Sequence, residues 1–271
     1  VEYTEVRKKM NTEIDGIMIN YRDEGQGPML VMLHGWGSNI ELFDQIIRFT
    51  ASAYHVVAMD MPGFGKSGEP SQPWAVDDFV TFVIHFVQKL YPQEKEIIFL
   101  GHSMGGRIII KMVARMKKQD IGFTIPQVIL TDSAGIMPVR TEAQKKRTKR
   151  YHFYKNLIVK SGIARLDPGA LDRLQKKFGS ADYSAASPVM RASLVKAVNE
   201  DLAPYMPMVT MPALLIWGDR DTATPLSDGQ QMEKLMPEAG LAVISGAGHY
   251  SFLDNPVLYD RILGSFLKIT D

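Results

Sequence analysis

Glu96-Ile97-Ile98-Phe99-Leu100-Gly101-His102-Ser103-Met104-Gly105-Gly106-Arg107-Ile108-Ile109-Ile110 is the stretch on which the fold of this chain turns. Its first part is apolar on both faces, as a strand buried inside a sheet must be. Its last part opens "GRIIIKMVARMKK", whose apolar residues recur at helical spacing. Between them lies G-x-S-x-G, Gly101 to Gly105. A serine at so sharp a strand-to-helix turn is forced into a strained backbone, and only glycines at the flanking positions leave it room. The turn lifts the Ser103 hydroxyl out of the sheet. It also sets a helix N-terminus, with its partial positive charge, beneath any negative charge that develops there.

Outward from this turn the alternation of strand and helix repeats. The pattern predicts strands over Thr4–Lys9, Ile17–Arg22, Met29–Leu33, His55–Met59, Ile97–Leu100, Gln127–Thr131, Ala213–Trp217 and Leu241–Ile244. The first two have no helix between them, only the turn Asp15-Gly16, and are expected to form an antiparallel hairpin. The fold class is α/β, with a mostly parallel, eight-stranded sheet flanked by helices. Ser38 with Glu41, and Thr141 with Gln144, are spaced as capping boxes. Asp167-Pro168, Ser187-Pro188, Thr224-Pro225 and Asn255-Pro256 each set a capping side chain before a proline.

The rhythm breaks over residues 136–208, which read as helical, about three short helices by length, with no strand. An insertion between two strands of an open α/β sheet lies at the carboxyl edge, where ligands bind. The expected division is therefore a core of residues 1–135 and 209–271, with 136–208 as a helical lid between the sixth and seventh strands. Charge supports the division. Residues 136–206 carry 14 Lys and Arg against 6 Asp and Glu, a net of +8, inside a remainder of net −7.

Several other segments carry chemistry. His34-Gly35-Trp36-Gly37 follows the strand "MLVML" and precedes a helix start. An oxyanion hole needs two backbone N–H groups aimed at one point. Met104, the residue after Ser103, supplies one, and Trp36 is the candidate for the other. Of the 6 histidines, His249 stands apart, in the loop "GAGHYSF" after the last strand. Three aspartates end strands nearby: Asp132 in "ILTDSAG", and Asp219 and Asp221 in "WGDRDTATP". Gly65-Lys66-Ser67 mimics the end of a phosphate-binding loop, but the required earlier glycine is Asp60. That aspartate reads as a holder of loop backbone.

With "HGWG", "MDMPGFGKSG", "GHSMGG", "WGDRDTATP" and "GAGHYSFLDNP" in this order, the chain resembles a lid-bearing α/β-hydrolase. It is most similar to the group of small bacterial esterases, meta-cleavage-product C–C hydrolases and cofactor-free haloperoxidases. The resemblance covers the core nearly end to end and is weak across the lid. It implies Ser103 as nucleophile, His249 as general base and Asp221, from the pattern W-G-x-x-D-x-x-x-P, as the acid that orients the histidine. Asp219 would then cap backbone N–H groups within its turn. Candidate substrate contacts are His34, Tyr151, Tyr154 and Tyr250.

The expected reaction is hydrolysis of a small carboxylic ester or related acyl substrate through an acyl-serine, without cofactor or metal. The alternatives are C–C bond hydrolysis of the meta-cleavage-product type and a ligand receptor built on a hydrolase fold. Composition narrows the partners. With no cysteine among 271 residues, disulfides, thiolate metal sites and a Cys nucleophile are excluded. A net charge of +1 gives no reason to expect nucleic acid, and no apolar run approaches a membrane span. Val1 to Asn11 is charged and lacks the apolar stretch of a signal peptide. The expectation is a cytoplasmic monomer or homodimer acting on a small molecule.

Overall fold

The computed structural model describes residues 9–137, 142–167, 169–178 and 181–269. The strands are β1 Lys9–Ile14, β2 Ile17–Glu24, β3 Met29–Leu33, β4 His55–Met59, β5 Ile97–His102, β6 Val128–Thr131, β7 Ala213–Gly218 and β8 Ala239–Ile244. They form one sheet in the order β1-β2-β4-β3-β5-β6-β7-β8. β1 and β2 pair antiparallel, as do β2 and β4, and every later pairing is parallel. The fold is thus the expected eight-stranded, mostly parallel α/β sheet.

The first strand departs from the expectation of Thr4–Lys9, and residues 4–8 of that segment lie outside the described residues. Asp15 and Gly16 both take positive φ, 50° and 79°, the backbone of a two-residue hairpin turn. Such a turn closes flush, with Ile14 opposite Ile17, so the partner strand must run up to residue 14.

The helices are α1 Asp44–Thr50, α2 Val76–Leu90, α3 Met104–Met116, α4 Glu142–Lys160, α5 Ile163–Leu166, α6 Ala170–Phe178, α7 Ala181–Ala185, α8 Pro188–Val198, α9 Leu226–Leu235, α10 Ser251–Asp254 and α11 Pro256–Leu267. Strand residues alternate between two cores. Met29, Val31 and Leu33 face a cluster that takes in Phe79 and Val83 of α2 and Ile109 and Val113 of α3. Leu30 and Met32 face the other, with Ile46 and Ile47 of α1 and Tyr259 and Leu263 of α11. Each fully buried aliphatic side chain contributes about 1.5–3 kcal/mol.

Caps decide the helix starts. Ser187 and Asn255 cap α8 and α11 as expected, accepting from Met190 and Leu258 N–H. Ser38 does not cap. Its own N–H closes a turn onto the Gly35 carbonyl, so the start moves on one residue and Asn39 caps the 3-10 turn Ile40–Phe43. Thr141 and Pro168 lie outside the described residues.

Between β6 and β7 the described residues hold α4 to α8 and a 3-10 turn, Ala203–Met208, more helices than the length suggested, and no strand. This insertion has two characters. Met190, Ala197, Leu202 and Met206 are buried in the α2–α3 core. Ser193 accepts from Trp74 N–H, and buried Lys111 of α3 binds Glu200 together with Asp77 of α2. By contrast α4 leaves Phe153, Leu157 and Val159 exposed.

Candidate active site

The strand order reverses direction at β3, because β4 lies on one side of it and β5 on the other. A crevice opens at such a switch point, beyond the carboxyl ends of the strands. The loop after β3 and the turn after β5 meet there. Ser103 occupies that turn at φ 51°, ψ −110°, a region that costs a non-glycine residue energy and that only close packing sustains. Its N–H donates to the Thr131 carbonyl at 3.2 Å, and its carbonyl accepts from Gly106 and Ala134 N–H, each at 3.1 Å. The flanking glycines are required by contact. A Cβ on Gly101 would sit 2.6 Å from the Gly105 backbone, and one on Gly105 would sit 2.0 Å from the Leu33 carbonyl oxygen.

The Gly35 backbone lies close against this turn, since a Cβ there would come within 3.0 Å of Ser103 Cβ. Next to it, the Trp36 ring packs edge-on to Phe64 with centroids 4.8 Å apart. The N–H groups of Trp36 and Met104, the oxyanion candidates, take no acceptor among the described residues. His34 departs from its expected place at the substrate. It is buried, its Nδ1 donates to the Gly35 carbonyl at 2.7 Å, and its Nε2 accepts from Met61 N–H at 2.9 Å. Burial lowers its pKa and keeps the ring neutral. With both nitrogens taken by main chain, it braces the loop.

The acid and base candidates come from the far side of the sheet. β7 ends at Gly218, and Asp221 follows in a tight turn. Asp221 Oδ1 accepts from the N–H groups of Ala223 and Thr224, at 2.7 and 3.0 Å. Its Oδ2 accepts from His249 Nδ1 and from the Thr224 hydroxyl, both at 2.7 Å. Burial would raise this carboxyl, but the bonds from His249 and Thr224 outweigh it and hold the group below the usual carboxylate range. With its Nδ1–H donating to the Asp221 carboxylate, His249 keeps Nε2 as the unprotonated ring nitrogen. Its carbonyl accepts from His102 Nε2 at 2.8 Å. Burial, with His249 alongside, drives the His102 pKa down to about 3, so this ring is neutral.

The remaining aspartates have other partners. Asp219 does not cap its own turn as expected: it reaches across to the turn after β8, accepting from Ser245 Oγ at 3.1 Å and Gly246 N–H at 2.7 Å. Asp60 accepts from Ile40 and Lys66 N–H and from Asn20 Nδ2, tying its loop to the 3-10 turn and to β2. Asp132 is fully buried between β6 and β7. Tyr250 stands at the rim, its ring 5.1 Å from His102 and 5.4 Å from His249. Tyr151 and Tyr154 stay on α4, paired with the rings of His152 and Phe153. Among the described residues no three His, Asp or Glu side chains are grouped to hold a metal. None of the helices there is long and apolar enough to cross a membrane.

Two contributors escaped the sequence reading. Thr224 reads as a helix cap before Pro225, yet its hydroxyl turns inward to Asp221; the only sequence signal was its position three residues after an acid in a strand-end turn. His102 belongs by sequence to the nucleophile turn, and nothing local announces a contact across 147 residues.

Known proteins resemble the chain over nearly its whole length. The uncharacterized hydrolase YugF of Bacillus subtilis (strain 168) is 26% identical, over 94% of this chain and 96% of that protein. The pimeloyl-[acyl-carrier protein] methyl ester esterase of Vibrio vulnificus (strain YJ016) is 24% identical, over 92% and 97%. The crystal structure of the enol-lactonase from Burkholderia xenovorans LB400 superposes with a TM-score of 0.72, at 20% identity, over 96% of this chain and all of that one, and shares the fold. Residues 30–261 match the family model of the alpha/beta hydrolases. Because that match runs from the third strand into the last helix and takes in Ser103, Asp221 and His249, the chain belongs to the alpha/beta hydrolase family.

Proposed function

We propose that this protein is a serine hydrolase that cleaves small carboxylic esters through an acyl-serine intermediate. The observation that carries the reading is the hydrogen bond from His249 Nδ1 to Asp221 Oδ2, at 2.7 Å, in a histidine joined by its carbonyl to the residue before Ser103. It fixes the tautomer a general base needs, on a loop tied to the nucleophile turn. His249 Nε2 takes the Ser103 proton as the hydroxyl attacks the ester carbonyl. The negative oxygen of the tetrahedral intermediate is held by the N–H groups of Trp36, in the loop after β3, and of Met104, at the start of α3. The imidazolium returns its proton to the leaving alcohol, and water cleaves the acyl-serine by the same route. Asp221 stays ionised throughout, consistent with its lowered pKa.

Helices α4 to α7 act in this reading as a lid that selects the acyl group, with Tyr151 and Tyr154 of α4 and Tyr250 of the rim nearest the substrate. Kinetics on p-nitrophenyl esters of graded chain length, with fluorophosphonate labelling, test the assignment. The wild type is expected to hydrolyse short esters and to be labelled at Ser103. Labelling that persists in Ser103→Ala overturns it.

A further inference from the structure

We propose that Asp132 is a positioning residue that ties the nucleophile, acid and base segments into one unit, an inference that rests on the serine-hydrolase reading above. Asp132 follows β6, between the strand that leads to Ser103 and the strand that leads to Asp221. It touches the acid and base segments directly and is joined to the nucleophile turn through its chain neighbours. Its backbone neighbours reach the nucleophile turn: Thr131 O accepts from Ser103 N–H, and Ala134 N–H donates to Ser103 O. Its Oδ1 accepts from Gly218 N–H at 2.9 Å, at the end of β7, three residues before Asp221. Its carbonyl lies 3.0 Å from Thr224 Oγ1, whose single proton it shares with the nearer Asp221 Oδ2. Its Oδ2 accepts twice from Ser251, from N–H at 3.0 Å and from Oγ at 2.7 Å, two residues after His249.

The arrangement is costly in three ways, which argues against a casual core polar group. The carboxylate is buried. The residue takes a positive φ of 43°, one of four non-glycine residues among those described to do so, Ser103 being another. Its partners are mostly main-chain N–H groups, which a serine or an apolar residue at 132 would leave unpaired. Both carboxylate oxygens are taken, and neither reaches the His249 ring, so Asp132 does not duplicate Asp221. It sets the distance between the loops instead. Asn at 132 keeps one acceptor oxygen for Gly218 but turns an NH2 toward the Ser251 N–H, releasing the base loop alone.

The test compares wild type, Asp132→Asn and Ser251→Ala in steady-state ester kinetics and in the 15N shifts of the His249 ring, which report where its proton sits. For Asp132→Asn, kcat is expected to fall on the order of tenfold to a hundredfold while KM stays within about twofold. The His249 ring is expected to shift from the Nδ1–H form toward a mixture of tautomers. Ser251→Ala, which removes one bond and keeps the N–H, gives a smaller change in the same direction and serves if the Asn variant does not fold. Unchanged kcat and an unchanged tautomer in a folded variant overturn the proposal, leaving Asp132 a core brace. The tautomer readout needs no turnover. If wild type neither hydrolyses esters nor takes label, the esterase reading falls, while the ring shifts still decide whether Asp132 positions His249.

Discussion

The carbonyl of His249 is held by the ring of His102, whose Nε2–H donates to it across 2.8 Å with the two rings 4.9 Å apart. The residue beside the candidate nucleophile therefore anchors the loop of the candidate base. His102→Phe keeps the bulk and removes the donor, leaving a carbonyl without its partner at a cost of about 1–3 kcal/mol. It is expected to lower kcat on the order of tenfold through misplacement of the imidazole. Because burial keeps His102 neutral down to about 3, its own titration leaves the pH–rate profile of wild type untouched at neutral pH. Steady-state kinetics with a thermal melt check this, and full activity in a folded variant refutes it.

Asp221 and Asp219 sit two residues apart and are expected to behave very differently. Asp221→Asn offers an amide N–H to His249 Nδ1 where a carboxylate accepts, favouring the wrong tautomer, and a loss on the order of ten-thousandfold in rate is expected. Asp219→Asn loosens a turn through Gly246 N–H and is expected to cost about 1 kcal/mol of stability and little rate. Ranking the two mutants at neutral pH separates them.

Two buried carboxyls are displaced in opposite directions. Burial lifts Asp132 to about 6, against the hydrogen bonds from Ser251 and Gly218, whereas Asp221 is held below its ordinary value. A raised carboxyl contributes stability that is present below the unfolded value, about pH 4, and is lost as pH rises through the folded one. A lowered carboxyl contributes stability present above the unfolded value and lost as pH falls through the folded one. Replacing Asp132 by Asn removes the first dependence. The Tm of Asp132→Asn relative to wild type is expected to be more favourable at about pH 7.5 than at about pH 4.5. Melts across that range decide it, and a difference independent of pH contradicts the burial argument.

Backbone hydrogen exchange is expected to divide the insertion. Few buried apolar contacts mean low local stability. Phe153 of α4 is 65% exposed, whereas Met190 of α8 is 1% exposed. Amides of α4 are expected to exchange well before those of α8, and α8 together with α2 and α3, to which it is tied through Trp74 and Lys111. Equal protection along the insertion contradicts this.

Much of the fold was legible because buried parallel strands announce themselves as runs apolar on both faces. β3 and β4 fall on their expected residues to the position. The edges were harder. Lys9–Ile14 mixes Asn, Thr and Glu with Met and Ile, since an edge strand buries little, and only the closure of the Asp15-Gly16 turn places it. At the site, the sequence motifs led to the histidine and aspartate that the structure brings within 2.7 Å. What stayed illegible is whatever depends on contacts between distant segments: the inward turn of Thr224, the reach of Asp132 to Ser251 and the capture of His34 by Met61 N–H. No local pattern encodes a partner that the fold alone brings near.

The divided insertion bears on how such a protein could diversify. The residues that hold Ser103, Asp221 and His249 in place belong to the sheet and to the segment from α8 onward, whose side chains lie within the main core. Outside that framework α4 leaves Phe153, Leu157 and Val159 exposed, while α6 and α7 are joined to α8 through Arg191, which binds Asp172 and the Tyr183 carbonyl. In the proposed reading α4 to α7 are an exchangeable cassette over the site, and randomising them is expected to change which esters are cleaved while the sheet and its core keep their sequence.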